Sequence, residues 1–153
     1  MLKNINPLLS PQLLEVLRAM GHGDTVCLVD GNFPAQAIAG TKPLIRMDGV
    51  AMGAAASALL SVLPLDTFVD APILRMQVVG EPAQWTDVQH EVQALAFEHG
   101  GPSCAMGSLE RFAFYEAARQ AFAVVVTGDS RAYGCFLIKK GVIFTPYAPA
   151  NAK

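Results

Sequence analysis

A histidine held between two glycines, followed by an aspartate at the far end of a short apolar run, is the chemistry-bearing feature of this chain. Gly21-His22-Gly23-Asp24 sets an imidazole in a turn, and Asp30-Gly31-Asn32-Phe33-Pro34-Ala35 sets a carboxylate where a strand gives way to a loop. Histidine has the unperturbed pKa nearest neutrality, so it gives or takes a proton at little cost. Acids at the carboxyl ends of strands lie where open α/β sheets hold their ligands. The pairing predicts proton transfer on a small polar molecule, with His22 and Asp30 brought by the sheet to one pocket. An isolated His in a Gly-rich turn is more often a plain surface residue, and the nearby Asp30 is what favours chemistry.

Further candidates are weaker. Arg111, opening Arg111-Phe112-Ala113-Phe114-Tyr115-Glu116, has a guanidinium able to fork onto vicinal hydroxyls. Its ordinary alternative is a surface ion pair with Glu110 or Glu116, worth little. Tyr115 has a polar tip that can reach a ligand, whereas Phe112 and Phe114 read as core. Tyr133-Gly134-Cys135 follows a Gly-Asp-Ser turn and enters the last strand, with a phenol and exposed backbone groups to offer. Asp24 and Asp48 read as turn residues. His90 and His99 read as solvated. The scattered histidines and cysteines form no metal set, and no metal or cofactor is expected. There is no G-x-S-x-G elbow, P-loop, G-x-G-x-x-G or H-E-x-x-H.

These groups must be positioned by a small frame. The chain has 153 residues, 52% hydrophobic and only 16% charged, against about 25% charged in an average domain. Other copies covering part of the surface would explain that, so a homo-oligomer is expected. Net charge is -2, and the longest basic run is Lys139-Lys140. This argues against a nucleic-acid partner. The most apolar stretch, Val50 to Leu63, is too short to cross a bilayer. Cys27, Cys104 and Cys135 are odd in number and lack C-x-x-C spacing, which suits free thiols in a reducing compartment. With no secretory-type apolar region at its start, the chain is expected to be cytoplasmic.

Ser10-Pro11 starts a helix that Gly21 stops. Strands are predicted at Thr25 to Val29, Leu44 to Met47, Ile73 to Val79, Ala123 to Thr127 and Phe136 to Ile138, with Ser108 to Glu110 extended. Helices are predicted at Val50 to Leu63, Thr86 to His99 and Phe112 to Phe122. Such alternation predicts a single α/β domain, a three-layer sandwich with a mostly parallel, mixed sheet between helices. The domain is expected over 1–143, with 144–153 as a Pro- and Ala-rich tail.

Taken together, these blocks resemble the L-fucose mutarotase family, related to D-ribose pyranase. The resemblance runs from Leu8-Leu9-Ser10-Pro11 to Lys139-Lys140-Gly141-Val142. It rests on the His22, Asp30, Arg111-to-Glu116 and Tyr133-Gly134-Cys135 segments in order, supported by Ile45-Arg46-Met47-Asp48-Gly49 and Leu63-Pro64-Leu65-Asp66-Thr67. It implies a cofactor-free isomerase that interconverts the α and β anomers of a free monosaccharide. It also implies ring-shaped oligomers, typically decamers in bacteria, with active sites near subunit interfaces. By motif, His22 matches the general acid. Asp30, Arg111, Tyr133, Gly134 and Cys135 match sugar-binding positions, and Tyr115 falls in the aromatic block. The tripeptide of the fucose branch usually ends in Asn, where this chain has Cys135. Competing readings are a pyranase acting on ribose, a non-catalytic sugar-binding or regulatory protein, and an oligomeric scaffold without a ligand.

Overall fold

The computed structural model describes residues 1–144, so the expected tail lies outside the described residues except for Phe144. Eleven elements follow one another: α1 (Pro11–Ala19), β1 (Thr25–Val29), α2 (Ala35–Ala39), β2 (Leu44–Met47), α3 (Met52–Leu60), β3 (Ile73–Met76), α4 (Asp87–Gly100), β4 (Gly107–Leu109), α5 (Arg111–Gln120), β5 (Ala123–Thr127) and β6 (Cys135–Lys139). Ser10 caps α1 by accepting a hydrogen bond from the Leu13 N–H, with Pro11 in the first turn as its missing donor allows.

The six strands form one sheet in the order β2-β5-β1-β6-β3-β4. Strand β6 runs antiparallel to β1 and β3, and the other neighbours pair in parallel. β1 and β5 lie inside the sheet as near-continuous apolar runs, as strands covered on both faces should. Leu13 of α1, Leu59 of α3 and Val92 of α4 pack with Val26 and Val125 on one face. Ile38 of α2 and Phe114 and Ala118 of α5 pack with Val29 and Val124 on the other. The three-layer α/β sandwich is therefore as expected.

The structure departs from the sequence reading most clearly at α2 and β3. Helix α2, only five residues between Pro34 and Gly40 with no side-chain cap, was not anticipated. Strand β3 stops at Met76 rather than Val79, because Val78 bridges back to Glu81 in a turn.

All strands but β6 point their carboxyl ends the same way, so the start of β6 meets the ends of β1 and β3. A buried aspartate ties this end together. Asp129 accepts from the Met52 N–H at 2.9 Å and from the backbone and guanidinium of Arg131. The Arg131 hydrogen bonds, with those of Met52, outweigh burial and hold its carboxyl well below the usual range. Its contribution to stability is therefore present above a pH of about 3.9 and is lost as the pH falls below it. Asp129→Ala is expected to lower stability by about 2–4 kcal/mol, since it also strands the buried Met52 N–H. Urea unfolding at neutral pH measures this.

Candidate active site

Most of the expected site residues gather at the carboxyl end of the sheet. Asp30 follows β1, Tyr133-Gly134-Cys135 leads into β6, and Arg111 opens α5 just past β4. Asp30, Arg111, Tyr133 and Cys135 line a cavity of about 280 Å3 with Asn32, Phe33, Met76 and Tyr115. That is near the lower limit of small-molecule sites, the right scale for one small polar ligand.

Asp30 is buried to 3% exposure beneath this cavity. Its Oδ1 accepts from the Asn32 N–H at 2.9 Å, and the Cys135 thiol donates to Oδ2 at 3.4 Å. Burial raises the carboxyl above its ordinary value, against the N–H donors of Asn32 and Gly134 and the thiol. Burial and the neighbouring Asp30 charge likewise hold Cys135 as a neutral thiol, so its hydrogen bond runs toward the carboxylate. A Cβ at Gly134 would stand 3.3 Å from the Asp30 Cβ, a tight contact that glycine avoids.

Arg111 makes no ion pair among the described residues. Glu110 is spent capping α5, accepting from the Phe112 and Ala113 N–H groups, and Glu116 pairs with Arg119. The Arg111 guanidinium lies 4.7 Å from the Phe112 ring, and its buried Nε has no partner. An unpaired cation at the edge of a cavity is a ready donor to hydroxyls. Tyr115 packs on Phe33 at 5.5 Å between ring centroids, and the Tyr133 hydroxyl accepts a long hydrogen bond from Val79 N–H at 3.4 Å.

His22 is not in this cavity. It precedes β1 whereas Asp30 follows it, so the strand puts them at opposite ends of the sheet, separated by at least its own length of about 13 Å. The expectation of one shared pocket within a chain is thereby corrected. His22 sits in the turn after α1, where Gly23 adopts a φ of +86° that other residues resist and donates to Lys140 O at 2.9 Å. Asp24 is structural, accepting from the Gly21 N–H at 2.8 Å. The Lys140 ammonium caps the end of α1 through the Leu17 and Met20 carbonyls.

The partner of His22 is a residue the sequence reading noticed only as part of a block. Its Nε2 lies 3.2 Å from Asp66 Oδ1, a carboxylate 3% exposed beside a ring that is 48% exposed. Burial pushes the Asp66 carboxyl up, but the Phe68 N–H, the His22 ring and the Lys139 charge outweigh it and hold the group below the usual range. An ionised carboxylate only accepts, so Nε2 carries hydrogen and Nδ1 is left to exchange a proton. The one hint in the sequence is an acid directly after the apolar turn Leu63-Pro64-Leu65. Exposed Phe68 lies 5.4 Å from the His22 ring, and an apolar groove of about 520 Å3 formed by Ile5, Leu14, Leu17, Val62 and Ile143 adjoins it.

The molecule thus carries an imidazole oriented by Asp66 at one end of the sheet and a polar-lined cavity over a buried carboxyl at the other. The chain matches the RbsD / FucU transport protein family over residues 3–143. It is 42% identical to the human fucose mutarotase, the match covering 93% of this chain and 94% of that one. It is also 42% identical to the L-fucose mutarotase of Haemophilus influenzae, over 93% of this chain and 97% of the relative. The crystal structure of the fucose mutarotase from Streptococcus pneumoniae in complex with L-fucose superposes with a TM-score of 0.85. It is 36% identical, covering 94% of this chain and all of that one.

Proposed function

The chain belongs to the RbsD / FucU family, and from that premise we propose that it is an L-fucose mutarotase, an isomerase that interconverts the α and β anomers of the free sugar. Mutarotation opens the hemiacetal ring, turns the C1–C2 bond and closes the ring on the other face of C1. Opening needs a proton delivered to the ring oxygen and one withdrawn from the anomeric hydroxyl. His22 is the donor, through Nδ1, because Asp66 holds its Nε2–H. Asp30 is the sugar-orienting carboxylate that takes the anomeric proton, its burial making it a stronger base than a solvated carboxylate. Arg111, Tyr133, Tyr115 and the backbone at Gly134-Cys135 hold the remaining hydroxyls. No cofactor is required by these steps.

The observation that carries this reading is the separation of His22 from the Asp30 cavity, together with the exposed apolar side chains that flank each: Phe68 and Ile143 near His22, Val79 and Phe112 near the cavity. We place the amino end of one copy on the carboxyl end of the next, so that one copy's imidazole completes its neighbour's cavity. Such a head-to-tail contact joins different surfaces and gives a ring where its rotation closes, for which the decamer implied by the family resemblance is the proposed form. The working unit is 1–143. A cytoplasmic setting suits Cys27, Cys104 and Cys135, all buried and free, and no helix among the described residues is long and apolar enough to cross a membrane.

Saturation-difference NMR on equilibrated L-fucose tests the activity. Magnetisation is expected to pass between the two anomeric proton signals when protein is added, and no transfer above the uncatalysed level contradicts the reading. Asp66→Asn is expected to slow exchange by about 10–100-fold, as loss of an orienting carboxylate does elsewhere. Unchanged exchange in that variant would show that the ring needs no such partner.

A further inference from the structure

Between the cavity and α4 lies a buried polar cluster that the steps above do not use. Gln89, on the first turn of α4, is wholly buried. Its Nε2 donates to Met76 O at 2.8 Å and to Tyr133 O at 3.1 Å. Its Oε1 accepts from Arg75 Nη1 at 3.1 Å and, more weakly, from Thr86 N–H at 3.4 Å. Arg75 is buried as well, donates through Nη2 to Pro82 O at 3.0 Å and lies 4.4 Å from the Trp85 ring. A guanidinium has no acceptor, so it fixes which end of the amide faces it. The Gln89 nitrogen must then face the two carbonyls.

Both carbonyls belong to residues that line the cavity. Tyr133 has a φ of +62°, a left-handed conformation that a residue with a Cβ adopts only when its surroundings impose it. The hydrogen bond from Gln89 to Tyr133 O falls on that peptide. We propose that Gln89 is a positioning residue of the sugar site, clamping Tyr133 in its left-handed conformation at the cavity while Arg75 locks the amide in register. Gln89 does not touch the sugar; it acts through Tyr133.

The inference rests on the mutarotase reading, and the test separates the two. In Gln89→Met, which keeps the volume and loses both donations, the KM for L-fucose is expected to rise about tenfold, the worth of one well-placed hydrogen bond. Its kcat stays within about twofold, because binding rather than proton transfer is disturbed. Glycine adopts a positive φ freely. In a Tyr133→Gly background the same Gln89 change is therefore expected to alter KM less than twofold. Gln89→Glu keeps the Arg75 contact but donates to neither carbonyl, and is expected to show the same rise in KM should Gln89→Met fail to fold. An unchanged KM in a folded Gln89 variant, or an equal rise in both backgrounds, overturns the clamp. Collapse of both variants overturns it too, because the cluster then serves the fold rather than the site. Wild-type protein that exchanges no anomers sinks the mutarotase reading instead.

Discussion

His22→Ala is expected to slow anomer exchange by about 10²–10⁴-fold, the range a positioned general acid contributes, while the protein folds and assembles as before. The separation of the two effects follows from the surroundings of the ring. Half of the imidazole is in solvent, and its one side-chain hydrogen bond is to Asp66. Pairs with so exposed a member are worth at most about 1 kcal/mol. Asp66 keeps the Phe68 N–H at 3.1 Å when the ring is removed, so it is not left without a partner. Lys140 does not replace the lost proton donor, because it is committed to the carbonyls that end α1. Saturation-difference NMR gives the rate, and a melting curve gives the stability. Undiminished transfer between the anomeric signals in this variant would refute the proton-donor role.

Asp30→Asn is expected to abolish exchange and yet to melt no lower than the wild type at neutral pH. Burial raises the Asp30 carboxyl, so the folded chain holds this proton more firmly than the unfolded chain does. The protonated group is tolerated below about pH 3.9, and its stabilising share is lost as the pH rises through the elevated folded value. At neutrality the wild type therefore carries the cost of a buried carboxylate, which asparagine never does. The asparagine oxygen can still accept from the Asn32 N–H, so the turn is preserved, and the Cys135 sulfur that faced Oδ2 can accept from the amide nitrogen instead. Exchange is lost because an amide cannot take the anomeric proton. Melting both proteins from about pH 4 to neutrality measures the difference, which is expected to widen with pH. A variant that melts well below the wild type at neutral pH would mean that the carboxylate serves the fold.

Much of the frame was legible because its signals are local. Thr25 to Val29 and Ala123 to Thr127 read as buried strands from unbroken apolar runs, and both are found with those bounds. Ser10-Pro11 announced α1. The helix predicted over Val50 to Leu63 narrows to Met52–Leu60, since alanine favours a helix without marking its ends. Helix α2 left no periodicity in five residues. Asp30 was readable from its place at a strand end, whereas Arg111 and Tyr133-Gly134-Cys135 joined it only through the family resemblance, since nothing local in those segments says which strand ends they meet. The sheet topology was overlooked for His22, whose position before β1 sends it to the other end. Asp66 and Gln89 were invisible as partners because their contacts, to His22 and to Tyr133, each span more than 40 positions and depend on packing alone.

That separation of His22 from Asp30 makes the division of the site between copies the central claim, and mixing two dead proteins tests it. His22→Ala and Asp30→Asn chains, each inactive alone, are unfolded together and reassembled, and anomer exchange is measured on the mixture. In a randomly mixed ring about a quarter of the shared sites draw an intact His22 from one copy and an intact Asp30 from its neighbour. Exchange at about that fraction of the wild-type rate is the expected result. A reassembled mixture as inactive as its parents would contradict a site built from two copies.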